Sequence, residues 1–148
     1  MAGFRHDMVP ALRLDYTEVN RRVAYLKELL DKATGADFCF AYPGGEAELH
    51  LDLRFRQGHA SGGLLPDPGT AGNLPSGEAY IVPYEGETET SRSAGILPVQ
   101  FGTELVLYKI ENNKAVSVLT QGGASDSEAA HLAAELAYVN IAELGLGV

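Results

Sequence analysis

The sequence predicts an α+β fold: a largely antiparallel sheet built of hairpins, flanked by an N-terminal and a C-terminal helix. Three observations predict it. Apolar residues recur at steps of three and four after Asp15 and again after Ser125, which is helical spacing. Apolar and polar residues alternate strictly from Leu49 to Arg56, the period of a strand with one buried face. Asn112-Asn113 separates two further strand-like runs as a tight turn would. At 148 residues, the chain is sized for one packed domain. Residues 1–14 read as an N-terminal arm and residues 15–148 as a single domain.

The elements follow in order. Asp15 and Glu18 form the charged version of a capping box. Tyr16, Val19, Val23, Leu26, Leu30 and Ala33 then make one apolar stripe, with Gly35 as the stop and Arg21, Arg22, Lys27, Glu28 and Asp31 on the solvated face. Ala36–Tyr42 is a compact apolar strand ended by Pro43-Gly44-Gly45. The alternation over 49–56 places His50, Asp52, Arg54 and Arg56 on the solvent side. Residues 57–77 are a long loop rich in glycine and proline, a kind of segment that is often functional in a compact domain. Ala79–Val82 reads as a short strand, 84–93 as a polar acidic connection, and Ile96–Phe101, Thr103–Glu111 and Lys114–Thr120 as strands. Two asparagines tolerate the positive φ of a type I′ turn between the last two. Ser125 and Glu128 form a second capping box, opening a helix to about Asn140 whose buried face carries Ala129, Leu132, Ala133 and Leu136.

Composition excludes several functions. Twenty acidic residues against eleven basic ones give a net charge of −9, whereas nucleic-acid binding depends on Lys and Arg neutralising phosphates. The same balance argues against an anionic membrane surface, and no apolar run approaches the ~20 residues of a span. The first residues lack an apolar signal-peptide core, so a cytoplasmic location is expected. The lone Cys39, between Phe38 and Phe40, rules out an internal disulfide or a CxxC zinc site and reads as a buried, inert thiol.

The chemistry-bearing residues are few. His50 and Asp52 have the spacing of a metal pair, but a solvent-facing pair is the ordinary outcome on an alternating strand. His131, with Glu128 and Glu135 at helical spacing, reads as an exposed helix face. His6 and His59 lack a partner at informative spacing. No HExxH, GK[ST] or GxSxG motif occurs. Two carboxylates remain. Glu78 follows the rigid turn Asn73-Leu-Pro-Ser-Gly77 at the entry to a strand, and Glu143 sits in the small, apolar context Ile141-Ala-Glu-Leu-Gly-Leu-Gly147, where a buried charge would need a partner.

Asn73-Leu-Pro-Ser-Gly-Glu-Ala-Tyr-Ile-Val-Pro83, followed by Tyr84-Glu-Gly-Glu, resembles the NLPxGE segment of the aminopeptidase T (thermophilic leucyl aminopeptidase) metallopeptidases and of their relatives, the iron-dependent dihydroxypyridine dioxygenases. Ile141–Gly147 resembles the second signature of that family, in the same order and at a matching distance. The resemblance extends over about residues 11–148. It implies that Glu78 and Glu143 occupy metal-ligand positions, and that the histidines and other ligands of the family come from sequence beyond the second signature. The resemblance thus implies a truncated version of the family's C-terminal domain in which those two positions are vestigial. Such sites use at least three well-placed protein ligands, so the expectation is no catalytic residue, no bound metal and no cofactor.

The expected function is accordingly non-catalytic binding of a small molecule or peptide-derived metabolite, with sequestration for self-protection as a setting. Asn73, Ser76, Glu78, Tyr80, Tyr84 and Glu143 are the candidate ligand-binding residues. An acidic pocket suits an ammonium-bearing, peptide-like ligand, and the tyrosines suit an aromatic one; Tyr108 and Tyr138 could add aromatic surface. The alternative is a metal-dependent aminopeptidase or ring-cleaving dioxygenase whose site is completed by another chain. Apolar surface around Ile96, Leu97 and Leu144–Val148 predicts a symmetric homodimer.

Overall fold

The computed structural model describes residues 5–148, so the first four residues of the N-terminal arm lie outside it. Among the described residues, two α-helices and eight mainly antiparallel strands make an α+β fold. No described helix is long and apolar enough to cross a membrane. The chain divides into two compact units. One takes the chain up to Lys32, Gln57–Ile81 and Leu144–Val148; the other takes Ala33–Arg56 and Val82–Glu143.

In the first unit the arm winds into a 3-10 segment, His6–Leu12, before helix α1, Tyr16–Lys32. Asp15 caps α1 as its type and position predict: its Oδ1 accepts the amide protons of Thr17 and Glu18 at 3.0 and 3.2 Å. Glu18 does not reach back to complete a capping box. Arg21 and Arg22 claim its carboxylate at 2.7 and 2.8 Å and hold its pKa near 2. Val23 and Leu30 form the buried part of the stripe. The helix lies on β3 (His59–Ser61) and β4 (Glu78–Ile81), which join β8 (Leu144–Gly147) in the sheet order β3-β4-β8. The 57–77 loop therefore contains a strand, and the apolar tail is itself one, antiparallel to β4.

The second unit is a five-stranded antiparallel sheet ordered β1-β2-β5-β6-β7, with β1 Gly35–Tyr42, β2 Gly45–Asp52, β5 Ala94–Phe101, β6 Glu104–Glu111 and β7 Lys114–Val118. Gly35 opens β1, opposite Asp52, rather than closing α1. Cys39 is exposed, not buried: β1 is an edge strand, and in its register Cys39 shares the outer face with Glu48 while Phe38 and Phe40 turn inward with Leu49 and Ala47. Leu49, Leu51 and Leu53 are buried as the alternation requires, but the strand ends at Asp52 and the alternation breaks at Phe55, whose φ of 63° leaves its ring 71% exposed. Ile96 and Leu97 are half-buried in β5.

The β6–β7 turn has the predicted left-handed pair, Asn112 at φ 52° and Asn113 at φ 66°. Asn113 is also fully buried, and its amide donates to the Ile141 carbonyl at 2.9 Å and to Asn140 Oδ1 at 3.3 Å. Asn113→Ala should lose about 2–3 kcal/mol in chemical denaturation, while Asn113→Gly should recover the part owed to backbone strain.

Helix α2 spans Gly123–Ala134 and lies on β6 and β7. The expected Ser125 cap is absent. Gly122 stands at the cap position, and Glu104 accepts the Ala124 amide at 3.1 Å. Ser125 is buried within the helix and donates to Thr120. Glu128 accepts the hydroxyl of buried Tyr108 at 2.7 Å. That bond, with His131 beside it, lowers the carboxyl pKa, while burial raises that of the phenol. Tyr108 therefore offers no free polar handle. The helix ends six residues before Asn140, at Ala134; Glu135 is extended, Leu136–Val139 form a 3-10 turn, and Leu136 is 85% exposed instead of buried.

Candidate functional site

The turn Asn73–Gly77 delivers the chain into β4 at Glu78. Gly77 adopts φ 155°, and a Cβ there would sit 3.3 Å from methyl carbons of Val19 and Val148, so only glycine fits this entry without displacement. Its carbonyl accepts the Val148 amide at 3.0 Å. Pairing then sets Ser61 of β3, Glu78 of β4 and Gly147 of β8 side by side across the sheet.

These residues shape a concavity of about 370 Å³ lined by Asn73, Ser76 and Glu78 together with Ser61 and Val148. Its two hydroxyls have a defined polarity. Ser76 donates to the Ser61 carbonyl at 2.7 Å, so in the 2.6 Å contact between the two Oγ atoms Ser61 must be the donor. Both hydroxyl protons are thereby engaged inside the protein. Oxygen lone pairs remain to face a guest, beside the exposed Glu78 carboxylate.

Three of the six candidate residues, Asn73, Ser76 and Glu78, thus line one concavity. Tyr80 belongs to the same unit and is half-buried, its ring stacked on His59 at 5.0 Å. Tyr84 belongs to the second unit and acts as a post. It is buried, and its hydroxyl oxygen accepts the amides of Thr88 and Glu89 at 2.9 and 3.0 Å, folding the acidic 84–93 connection around itself. Glu143, exposed, is also in the second unit. Ser61 lacked any sequence signal, because only the β3–β4 pairing brings it to Ser76.

The second unit also buries a charge that the strand alternation placed in solvent. Asp52 is 0% exposed and accepts from the Arg54 guanidinium at 2.8 and 2.9 Å and from the amides of Arg54 and Arg92 at 3.1 and 2.9 Å. The guanidinium, aided by those amides, holds its carboxyl near pKa 2. Arg54 continues to Glu89 at 2.9 Å, Arg56 pairs with Glu87, and both guanidinium groups lie 5.6 Å from the Tyr84 ring centre. His50, read with Asp52 as a solvent-facing pair, contacts Asp37 at 2.7 Å.

The metal positions implied by the family resemblance can be tested on geometry. Among the described residues, no three His, Cys, Asp or Glu side chains converge as an ion would require. No protein-family model, curated protein or solved structure matches this chain, so the resemblance rests on the Asn73–Pro83 and Ile141–Gly147 segments themselves.

Proposed function

We propose that the chain binds a compact, amine-bearing, peptide-derived molecule in the Asn73–Glu78 concavity and does not transform it. The observation that carries this reading is a cluster of acceptors in the site: two serine oxygens whose protons are already committed, next to the exposed Glu78 carboxylate. An ammonium group brings three donors and no acceptor, which complements such a surface. The volume of about 370 Å³ lies near the small end of ligand pockets, roughly 300–1,000 Å³, and suits a dipeptide-sized guest. Sequestration of a peptide-like metabolite in the cytoplasm, by a homodimer, is the corresponding role.

Calorimetry with leucylglycinamide as probe tests the proposal. The free amine should bind, and its N-acetyl form should bind at least tenfold more weakly. Glu78→Gln should weaken the amine about fivefold, the size expected for an exposed ion pair. Equal affinity for the two probes, or no heat from either at millimolar concentration, would refute it.

A further inference from the structure

An open edge strand offers unpaired N–H and C=O groups to any other strand, so sheets guard their edges. Among the described residues, three of the four sheet edges are guarded. β3 and β8 are only three and four residues long, and β7 opens on Lys114, which bridges to Asn140. The fourth, β1, is eight residues long and contains neither proline nor lysine nor a register shift against β2. The direction of its free groups follows from the hairpin. Tyr42 and Gly45 flank the two-residue turn Pro43-Gly44 and so bond each other, and Phe40, Phe38 and Ala36 bond β2 in the same way. The N–H and C=O groups of Gly35, Asp37, Cys39 and Ala41 therefore point away from β2. The far side of β2 agrees: Asp52, opposite Gly35, takes the Ser93 hydroxyl on its amide and the Tyr84 amide on its carbonyl, both away from β1. Among the described residues, no backbone hydrogen bond from an element other than β2 reaches Gly35–Tyr42.

What this edge fits is set by its own order of residues. Phe38-Cys39-Phe40 reads the same in both directions, and its two half-buried rings stack on one face at 6.0 Å. A two-fold interface requires that residue i face j while j faces i, which such a sequence satisfies. We propose that the β1 edges of two copies of this chain pair antiparallel about a two-fold axis at Cys39, joining their five-stranded sheets. Phe38 of each copy then lies opposite Phe40 of the other, in cross-strand aromatic pairs. Asp37, the one charge in the strand, lies opposite Ala41 and meets no like charge. Cys39 exchanges both main-chain bonds with its counterpart, their Cα atoms about 5.5 Å apart. This pairing names the interface of the homodimer proposed above and rests on that assembly, independently of the ligand.

Sedimentation should show a dimer at micromolar concentration, and a short bismaleimide should link it covalently through Cys39, the only cysteine. Hydrogen exchange at Asp37, Cys39 and Ala41 should slow as the protein concentration rises. Ala41→Asp puts a carboxylate opposite Asp37 twice across the axis and should weaken the dimer about fivefold. Adding Asp37→Lys to that variant should restore the affinity, which a mere folding defect would not allow. A monomer at these concentrations would overturn the interface and the homodimer together. A dimer that Cys39 does not crosslink and that Ala41→Asp does not weaken would overturn the β1 edge alone, leaving a homodimer joined elsewhere.

Discussion

Asp52→Ala is expected to cost about 3–5 kcal/mol, enough to unfold the sheet unit of many proteins of this size. The substitution removes an acceptor of four kinds of donor bond and leaves the Arg54 side chain, only 13% exposed, as a buried charge without its main partner. Glu89 retains one contact with Arg54 but is itself largely exposed, so its compensation is small. Acid should act through the same group. The folded carboxyl titrates near 2 instead of 3.8, so its stabilisation is complete above pH 4 and is lost as the pH falls towards 2. The loss amounts to about 2 kcal/mol. Urea melts of the parent protein at pH 7 and pH 2.5 should show this difference, and Asp52→Asn should flatten it. A change below 1 kcal/mol in Asp52→Ala would mean that the pair merely decorates the sheet.

Gly95→Ala should have the next largest effect, more than about 3 kcal/mol. A Cβ at Gly95 would lie 2.3 Å from the Glu48 carbonyl oxygen and 2.7 Å from the Leu49 Cα, and its φ of 140° already disfavours a side chain. The opposing atoms are backbone, so nothing flexible can move aside. Because β2 and β5 join through two residue pairs, the push falls on the whole junction. Hydrogen exchange should show protection lost at Leu49 and His50 while the β5-β6-β7 ladder stays slow. Gly102→Ala, with φ 58° but open space around it, is the control and should cost about 1 kcal/mol. Equal effects at the two glycines would remove close approach as the cause.

The features legible in the sequence are those decided by near neighbours. Asp15 caps α1 through amides two and three residues on, and Asn112-Asn113 needs only its own dihedrals. Asn73, Ser76 and Glu78 fall in one concavity because they are nearly contiguous. What escaped is decided at a distance. The Ser125/Glu128 pattern looks like a capping box, yet Thr120 and Tyr108 hold those side chains and Glu104 does the capping. The alternation that buried Leu53 said nothing of the left-handed residue at Phe55, nor of Asp52 turning inward to meet Arg54 and the Arg92 amide. Cys39 is exposed because its strand lies on a sheet edge, which an apolar run does not reveal.

The order of segments in the three-stranded sheet has a bearing on biosynthesis. Its middle strand, Glu78–Ile81, must wait for Leu144–Gly147, which leave the ribosome only after every segment of the five-stranded sheet has been made. The larger sheet can close during translation, while one side of the smaller sheet's middle strand stays uncovered until the last partner arrives. A released chain that ends at Glu143 should therefore be cut readily by protease around Asn73–Ile81 and resist cutting within Ala94–Val118.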